Sequence, residues 1–181
     1  MILGLSIPTF TTLHVVLSLV GIASGVLVLL RPSASTKASS LNALFLATTI
    51  AASVTGLLFM VVVLRFRLGH QLSVISLVVL APAVLALYRH RLAGPWRAIF
   101  VAGATVALYV NAFIGVRQAF AKIDFLRTLP ATEFASPLLL AHLLVLAICL
   151  WLGFHAFAAL QPGGGPRRAR PRPLRVADRW N

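Results

Sequence analysis

The sequence predicts an all-α, polytopic membrane helix bundle with about five transmembrane helices. Of its 181 residues, 60% are hydrophobic and only 10% are charged, and the mean hydropathy is +0.97. Soluble domains average roughly 45–50% apolar and about 25% charged residues. The apolar segments are continuous and of helix length rather than alternating, which favours helices over a transmembrane β-barrel. We therefore expect one transmembrane helical domain over residues 1–161.

The first three predicted spans follow from the apolar segments at the start of the chain. The first covers residues 8–30 and has no basic segment before it, which favours a retained helix over a cleaved signal peptide. The second covers residues 42–64. The third covers residues 72–88 and contains Pro82, which predicts a kink.

Two further spans, residues 97–116 and 137–160, complete the predicted bundle. Between them, the segment 120–129 has apolar residues at helical spacing, which predicts a short helix at the membrane surface. Residues 162–181 are rich in Gly, Pro and Arg and lack apolar periodicity. This composition predicts a disordered, basic tail.

The distribution of Lys and Arg predicts the orientation. Eleven of the 16 Lys and Arg residues lie in the tail and in the loops on its side of the membrane. The positive-inside rule therefore puts the N-terminus outside and the C-terminal tail in the cytoplasm. The net charge of +13 is explained by this topology, so we expect no nucleic-acid partner. We expect the tail to bind anionic lipid.

Glycines recur on one face of two predicted spans. Gly21 and Gly25 form a G-x-x-x-G pattern in the first span, and Gly103 and Gly115 share a stripe with Ala107 in the fourth. Small residues let two helix backbones approach closely. We expect these glycines to pack helices within one chain, with a homodimer contact as the second interpretation.

A few polar residues are predicted to lie in the outer third of the membrane or at its outer edge. At a rise of ~1.5 Å per residue, His14, Asn111 and His142 lie far from the inner boundary of a hydrocarbon core about 30 Å thick. The fourth, His70, lies at the outer start of the third span. Together they predict a pocket open to the outside, and the four residues are His14, His70, Asn111 and His142. The arginines expected at its mouth are Arg65, Arg67 and Arg117.

Several ligands would suit such a pocket. His14 and His142, on facing helices at matched depth, could ligate a b-type haem. A histidine together with Asn111 could hydrogen-bond a quinone head group. Three imidazoles could hold a metal ion, although no carboxylate lies nearby. The plainer interpretation is that each histidine is neutral and bonded to a neighbouring helix.

Known catalytic patterns do not occur in the sequence. It contains no phosphate-binding Gly loop, no H-E-x-x-H and no G-x-S-x-G, and no Asp or Glu lies inside a predicted span. An ion-coupled transporter or a membrane protease is therefore not expected, and a non-enzymatic protein is favoured. Cys149 is the only cysteine, so the chain can form neither an internal disulfide nor a thiolate metal cluster.

Several segments carry a resemblance to a known family. They are LH-x-x-x-SL at 13–19, SVTGLLF at 53–59, ISL to LALY at 75–88, RLAGPWR at 91–97, and ALYVN at 107–111 with QAF at 118–120. With these segments, residues 11–160 resemble a family of small, uncharacterised bacterial multi-spanning membrane proteins. The resemblance implies a bacterial inner membrane and no established activity. A second similarity, to four-helix haem-binding membrane proteins, rests on His14 and His142.

The sequence thus leaves three functional interpretations. The leading one is a non-enzymatic inner-membrane protein with an outer-leaflet pocket for a small ligand. The second is a b-type haem or quinone-linked redox component, with His14 and His142 as axial ligands and Asn111 beside them. The third is a small accessory subunit that docks to a protein partner through Gly21 and Gly25. The sequence specifies neither the ligand nor the oligomeric state.

Overall fold

Five long helices make up the fold in a computed structural model of the chain, which describes residues 2–32, 40–59, 68–130 and 136–161. Each of the five is long and apolar enough to cross a membrane. The predicted all-α class with five candidate membrane spans is therefore confirmed. In chain order the helices are α1 (Ile7–Leu30), α2 (Ser40–Leu58), α3 (Leu68–Tyr88), α4 (Trp96–Lys122), the single-turn α5 (Asp124–Arg127) and α6 (Pro137–Ala159).

The boundaries of α2 and α3 differ from the expected ones at the connection between them. α2 ends at Leu58, and the predicted end of the second span at residue 64 lies outside the described residues. α3 begins at Leu68 rather than at residue 72, so Gly69 and His70 belong to the helix. α3 also continues past Pro82 to Tyr88; the kink there stays a prediction.

α4 is longer than the sequence predicted. It runs to Lys122 rather than to residue 116, because Arg117 and Gln118 are good helix formers whose side chains can be solvated at the membrane edge. The surface helix expected at 120–129 is correspondingly reduced to the single turn of α5.

α1 and α6 begin with the same capping arrangement. The Ser6 hydroxyl accepts a hydrogen bond from the Thr9 N–H at 3.3 Å, and the Ser136 hydroxyl accepts one from the Leu139 N–H at 3.2 Å. A proline occupies the first turn of each helix. Ser at the N-cap and Pro just inside it both favour a helix start, since they satisfy or remove backbone donors that lack helical partners.

α1 and α4 form the centre of the bundle. α1 packs against α2, α4 and α6, and α4 packs against α1, α3 and α6. His14 contacts Thr55 and Gly25 contacts Phe45, so α1 and α2 run in opposite directions. Gly56 near the end of α2 contacts Ser73 near the start of α3, as in antiparallel neighbours. We call the end where α1, α3 and α6 begin the His14 end, and the opposite end, where α4 begins, the Arg97 end.

The apolar core lies mainly towards the Arg97 end. All five long helices contribute their Arg97-end portions to one cluster of buried apolar residues. Representative members are Leu29, Phe45, Leu87, Phe100 and Leu152. At the His14 end, the buried residues of α3 include instead His70, Ser73 and Ser76. The two ends of the bundle therefore differ in chemistry.

Arg97 joins two chain segments at its own end of the bundle. Its Nε donates to the Leu92 carbonyl oxygen at 2.8 Å, and its Nη1 donates to the Leu160 carbonyl oxygen at 3.0 Å. Leu160 is the C-cap of α6, where carbonyl groups lack helical donors and the helix dipole favours a cation. The guanidinium thus connects the start of α4 to the end of α6.

The predicted packing glycines lie at contacts of unequal tightness. A Cβ atom on Gly103 would lie 2.8 Å from the carbonyl oxygen of Val79, and one on Gly25 would lie 2.7 Å from the ring of Phe45. Both distances are shorter than a carbon contact permits. A Cβ on Gly115 would meet its nearest neighbour at 3.8 Å, which is ordinary contact.

Candidate functional site

His14 lies between α1 and α2 and is half-buried. Its Nδ1 is 2.8 Å from the Thr55 hydroxyl oxygen. That hydroxyl lies 2.8 Å from the Ala51 carbonyl and 3.0 Å from the Ala52 carbonyl, to which it donates its one hydrogen. With its hydrogen on a backbone carbonyl, the hydroxyl accepts from His14 Nδ1; a neutral ring protonated at Nδ1 then keeps a lone pair on Nε2.

Ser73 of α3 lies close to Gly56 and His14. An ideal Cβ on Gly56 would lie 2.6 Å from the Ser73 hydroxyl oxygen and 3.5 Å from Cε1 of His14. The lack of a side chain at Gly56 thus lets α1, α2 and α3 bring an imidazole and a hydroxyl together. The Ser73 hydroxyl donates to the Gly69 carbonyl at 3.0 Å, and its lone pairs remain as acceptors.

Aromatic rings and a second histidine border this corner. The ring of Phe59 meets His14 edge-on, with centroids 5.4 Å apart, and also meets the fully buried ring of Phe10 at 5.1 Å. His70, one turn before Ser73 on α3, is buried, with 5% of its surface exposed. We call His14, Thr55, Gly56, Ser73 and Phe59 the His14 corner.

Asn111 lies deeper in the bundle than His14 and contacts α1 rather than α2. Its Nδ2 donates to the Ser18 carbonyl oxygen of α1 at 3.2 Å. The same amide nitrogen would lie 3.1 Å from a Cβ on Gly21. Asn111 therefore joins α4 to α1 through the groove that Gly21 leaves open.

His142 is held against α4. Its Nδ1 lies 2.7 Å from the Leu138 carbonyl oxygen, which can only accept, so Nδ1 carries a proton. Its Nε2 lies 3.4 Å from the Phe113 carbonyl oxygen, and its ring packs on the Phe113 ring at a centroid distance of 4.1 Å. Both ring nitrogens thus face backbone carbonyls.

Three of the four polar residues expected to share one pocket, His14, Asn111 and His142, therefore make different contacts. His14 and His142 both lie within roughly the first two turns of their helices, so their depths are similar. His14 contacts α2, whereas His142 contacts α4. Arg117 is exposed on α4 at the same end, and Arg65 and Arg67 lie outside the described residues.

Metal ligands are sparse in the part of the chain that the structure describes. No group of three or more His, Cys, Asp or Glu residues there is arranged to hold a metal ion. A small cavity of about 10 Å³, room for roughly one water molecule, lies at the Arg97 end among Leu29, Asn42, Phe100 and Leu160. It is far from the His14 corner and lies within the apolar core.

Sequence reasoning missed Ser73, Gly56 and Phe59 as members of the His14 corner. The signal for Ser73 was present, because His70, Ser73 and Ser76 recur every three residues and so share one face of α3. Nothing comparable marked Gly56, since its role depends on which helix faces it.

Comparisons of the chain with protein-family models, with curated proteins and with solved structures find no match. The family resemblance described above stays a prediction.

Proposed function

We propose that this chain is a bacterial inner-membrane protein, with its N-terminus outside and its tail in the cytoplasm, that binds a small ligand at the His14 corner. The contrast between the two ends of the bundle supports this most directly. Apolar packing dominates at the Arg97 end, whereas the described part of the His14 end holds imidazoles and hydroxyls in the membrane. Burying a polar side chain in a membrane costs free energy, so such residues serve a function more often than polar residues in general do.

The hydrogen-bonding pattern of the corner favours a particular class of ligand. In the neutral His14 ring protonated at Nδ1, Nε2 carries a lone pair, and the Ser73 hydroxyl donates its hydrogen to the Gly69 carbonyl. The corner therefore offers acceptors, and a ligand with hydroxyl or N–H donors would complement them. A quinol head group, which carries two hydroxyl donors, fits this pattern better than an oxidised quinone, which carries only acceptors.

A b-type haem with His14 and His142 as axial ligands is the second candidate. The similar depth of the two rings favours it. The contacts of His142 favour it less, because its Nε2 faces the Phe113 carbonyl and its Nδ1 is bonded to Leu138. Ligating iron would require this ring to leave at least one of those contacts.

The third candidate, an accessory subunit, needs a docking surface other than the one first expected. Gly21 and Gly25 lie against Thr49 and Phe45 of α2, so they are already covered within the chain.

The basic tail, residues 162–181, would contact anionic lipid on the cytoplasmic side.

Ligand binding can be tested on the full chain purified in mild detergent. Thermal unfolding would be followed with a short-chain quinol, with its oxidised quinone, and without either. We expect the quinol to raise the unfolding midpoint more than the quinone does. This difference should vanish in His14→Ala and persist in His155→Ala, a matched histidine at the Arg97 end.

Two further readouts on the same samples separate the candidates. Native mass spectrometry that finds another bound, non-lipid molecule, lost in His14→Ala, would also support the corner as the site. A stoichiometric Soret band that disappears in both His14→Ala and His142→Ala would instead show that the chain binds a b-type haem through these two histidines. No midpoint shift and no bound molecule would refute the proposal.

A further inference from the structure

The turn between α3 and α4 has an unusual backbone. The Ala93 N–H donates to the His90 carbonyl oxygen at 2.9 Å, which closes a four-residue turn over residues 90–93. Its two central residues, Arg91 and Leu92, have φ angles of 49° and 56°. Turns with positive φ at both central positions usually place Asn and Gly there, because most side chains are strained in that region. Strain of this kind persists only where the surrounding structure holds it, and it is often found at binding sites.

Contacts on both sides of Arg91 hold the turn in this conformation. The Leu92 side chain is buried in the apolar core, with 8% of its surface exposed. The Leu92 carbonyl accepts from Arg97 Nε at 2.8 Å. The His90 ring lies flat on the Trp96 ring, with centroids 3.7 Å apart and ring planes within 2° of parallel. The strained turn thus buries Leu92 and leaves the side chain of Arg91 exposed.

Cationic groups meet at this turn without a carboxylate in the described part of the chain. The guanidinium of Arg97 uses only two of its five N–H groups on backbone carbonyls. Its other donors, the Arg91 guanidinium and the His90 imidazole all belong to the turn or to a side chain bonded to it. Asp124, the only acidic residue that the structure describes, lies in α5 at the His14 end. The turn therefore complements an anion.

The surroundings of the turn are those of a membrane surface. α3 and α4 are candidate membrane spans, so the turn that joins them lies at one edge of the bilayer. The part of α3 that leads to it leaves Val78, Leu85 and Tyr88 largely exposed. A molecule with an anionic head group and apolar chains would contact both the cationic turn and this apolar face.

We propose that the turn over residues 90–93 binds the head group of an anionic phospholipid through His90, Arg91 and Arg97. Arginine suits a phosphate because its fork of N–H donors can bond two oxygen atoms at once. Basic sites at the ends of membrane helices bind such head groups. The positive-inside rule explains why this loop is basic, but not why two strained residues fix its shape. The site is separate from the basic tail and does not depend on a ligand at the His14 corner.

The test titrates the full chain in mild detergent with phosphatidylglycerol and, separately, with phosphatidylcholine. Native mass spectrometry would give the number of bound lipids and their affinities. We expect the wild type to bind phosphatidylglycerol more tightly than phosphatidylcholine. In Arg91→Gln this affinity should fall about tenfold, the effect of losing one charge-assisted hydrogen bond. Inorganic phosphate should not displace the lipid, because it has no apolar chains to lie along α3.

Two matched variants remove the same charge elsewhere. Lys122→Gln changes an exposed cation at the other end of the bundle, and Arg175→Gln changes one in the basic tail. Neither should weaken the tight binding of phosphatidylglycerol as Arg91→Gln does. The unfolding midpoint of each variant without added lipid would show that it folds as the wild type does.

Several results would overturn the proposal. Equal affinity of the wild type for the two lipids would show that the turn does not select an anionic head group. Equal losses in Arg91→Gln and in the two control variants would show that only net charge matters. Displacement by inorganic phosphate would indicate a site for a free anion. If a polyglutamate peptide binds instead, and Arg91→Gln abolishes that binding, the turn docks an acidic protein rather than a lipid.

Discussion

The two ends of this bundle are built differently. At the Arg97 end, all five long helices meet in one apolar cluster, and a guanidinium closes the contact between α4 and α6. At the His14 end, α1, α2 and α3 meet through an imidazole, hydroxyls and a glycine. Under the function proposed above, the Arg97 end would stabilise the bundle and the His14 end would bind the ligand.

This division predicts that substitutions will separate stability from binding. Changes at the Arg97 end and in the tight glycine contacts should lower the free energy of unfolding. Changes in the polar side chains at the His14 end should alter ligand binding with small effects on that free energy. Three substitutions, each with a control variant, test this difference.

The largest loss is expected for Gly103→Ala. The added Cβ would lie 2.8 Å from the Val79 carbonyl oxygen, and a backbone atom can move away only if α3 and α4 separate. Overpacking of this kind costs about 1–3 kcal/mol, and we expect the upper part of that range. Unfolding in SDS mixed micelles would measure it. Gly115→Ala, with its nearest contact at 3.8 Å, should cost nothing measurable, and equal losses would contradict the packing described here.

An intermediate loss is expected for Arg97→Ala. The substitution removes two charge-assisted hydrogen bonds to the carbonyls of Leu92 and Leu160, each of the kind worth roughly 1.5–3 kcal/mol. Because Arg97 is partly exposed and water can replace it, we expect about 2 kcal/mol in total. Arg89→Ala, an exposed arginine at the same end, is the control. A loss no greater than that of the control would show that the guanidinium does not hold α6 in place.

The smallest loss of stability is expected for Thr55→Val. The hydroxyl's bond with His14 is an interhelical one, and such bonds in membrane proteins average about 0.6 kcal/mol. Ligand affinity at the His14 corner should nevertheless fall, because the imidazole loses the partner that orients it. Thr12→Val removes an exposed hydroxyl bonded only within α1 and should change neither. A loss above ~2 kcal/mol for Thr55→Val would remove the contrast between the two ends.

The helices themselves could be predicted because each depends on a local property of the chain. An uninterrupted apolar segment of about 20 residues forms a helix in a membrane whatever surrounds it, since its backbone groups have no other partners. The predicted ends of the helices were less accurate than the helices themselves. α4 extends past Arg117 because a charged side chain at the membrane edge does not stop a helix.

The site was harder to predict because it depends on which helices touch. His14 was singled out from its chemistry alone, but its partner Thr55 could be identified only from the pairing of α1 with α2. Arg97 was counted simply as a charge that sets orientation, whereas it also binds two carbonyl groups. Many arrangements of five helices bury the same stripes of small residues, so the pattern of one sequence does not select among them.

The orientation of the His14 end underlies the proposed function, and cysteine labelling tests it most directly. The chain has one cysteine, so a Cys149→Ala background can carry Thr128→Cys at the His14 end or Arg89→Cys at the Arg97 end. Both positions are exposed. In intact bacterial cells, a membrane-impermeant maleimide should label the first variant, and it should label the second only after lysis. Labelling of Arg89→Cys but not of Thr128→Cys in intact cells would contradict the account.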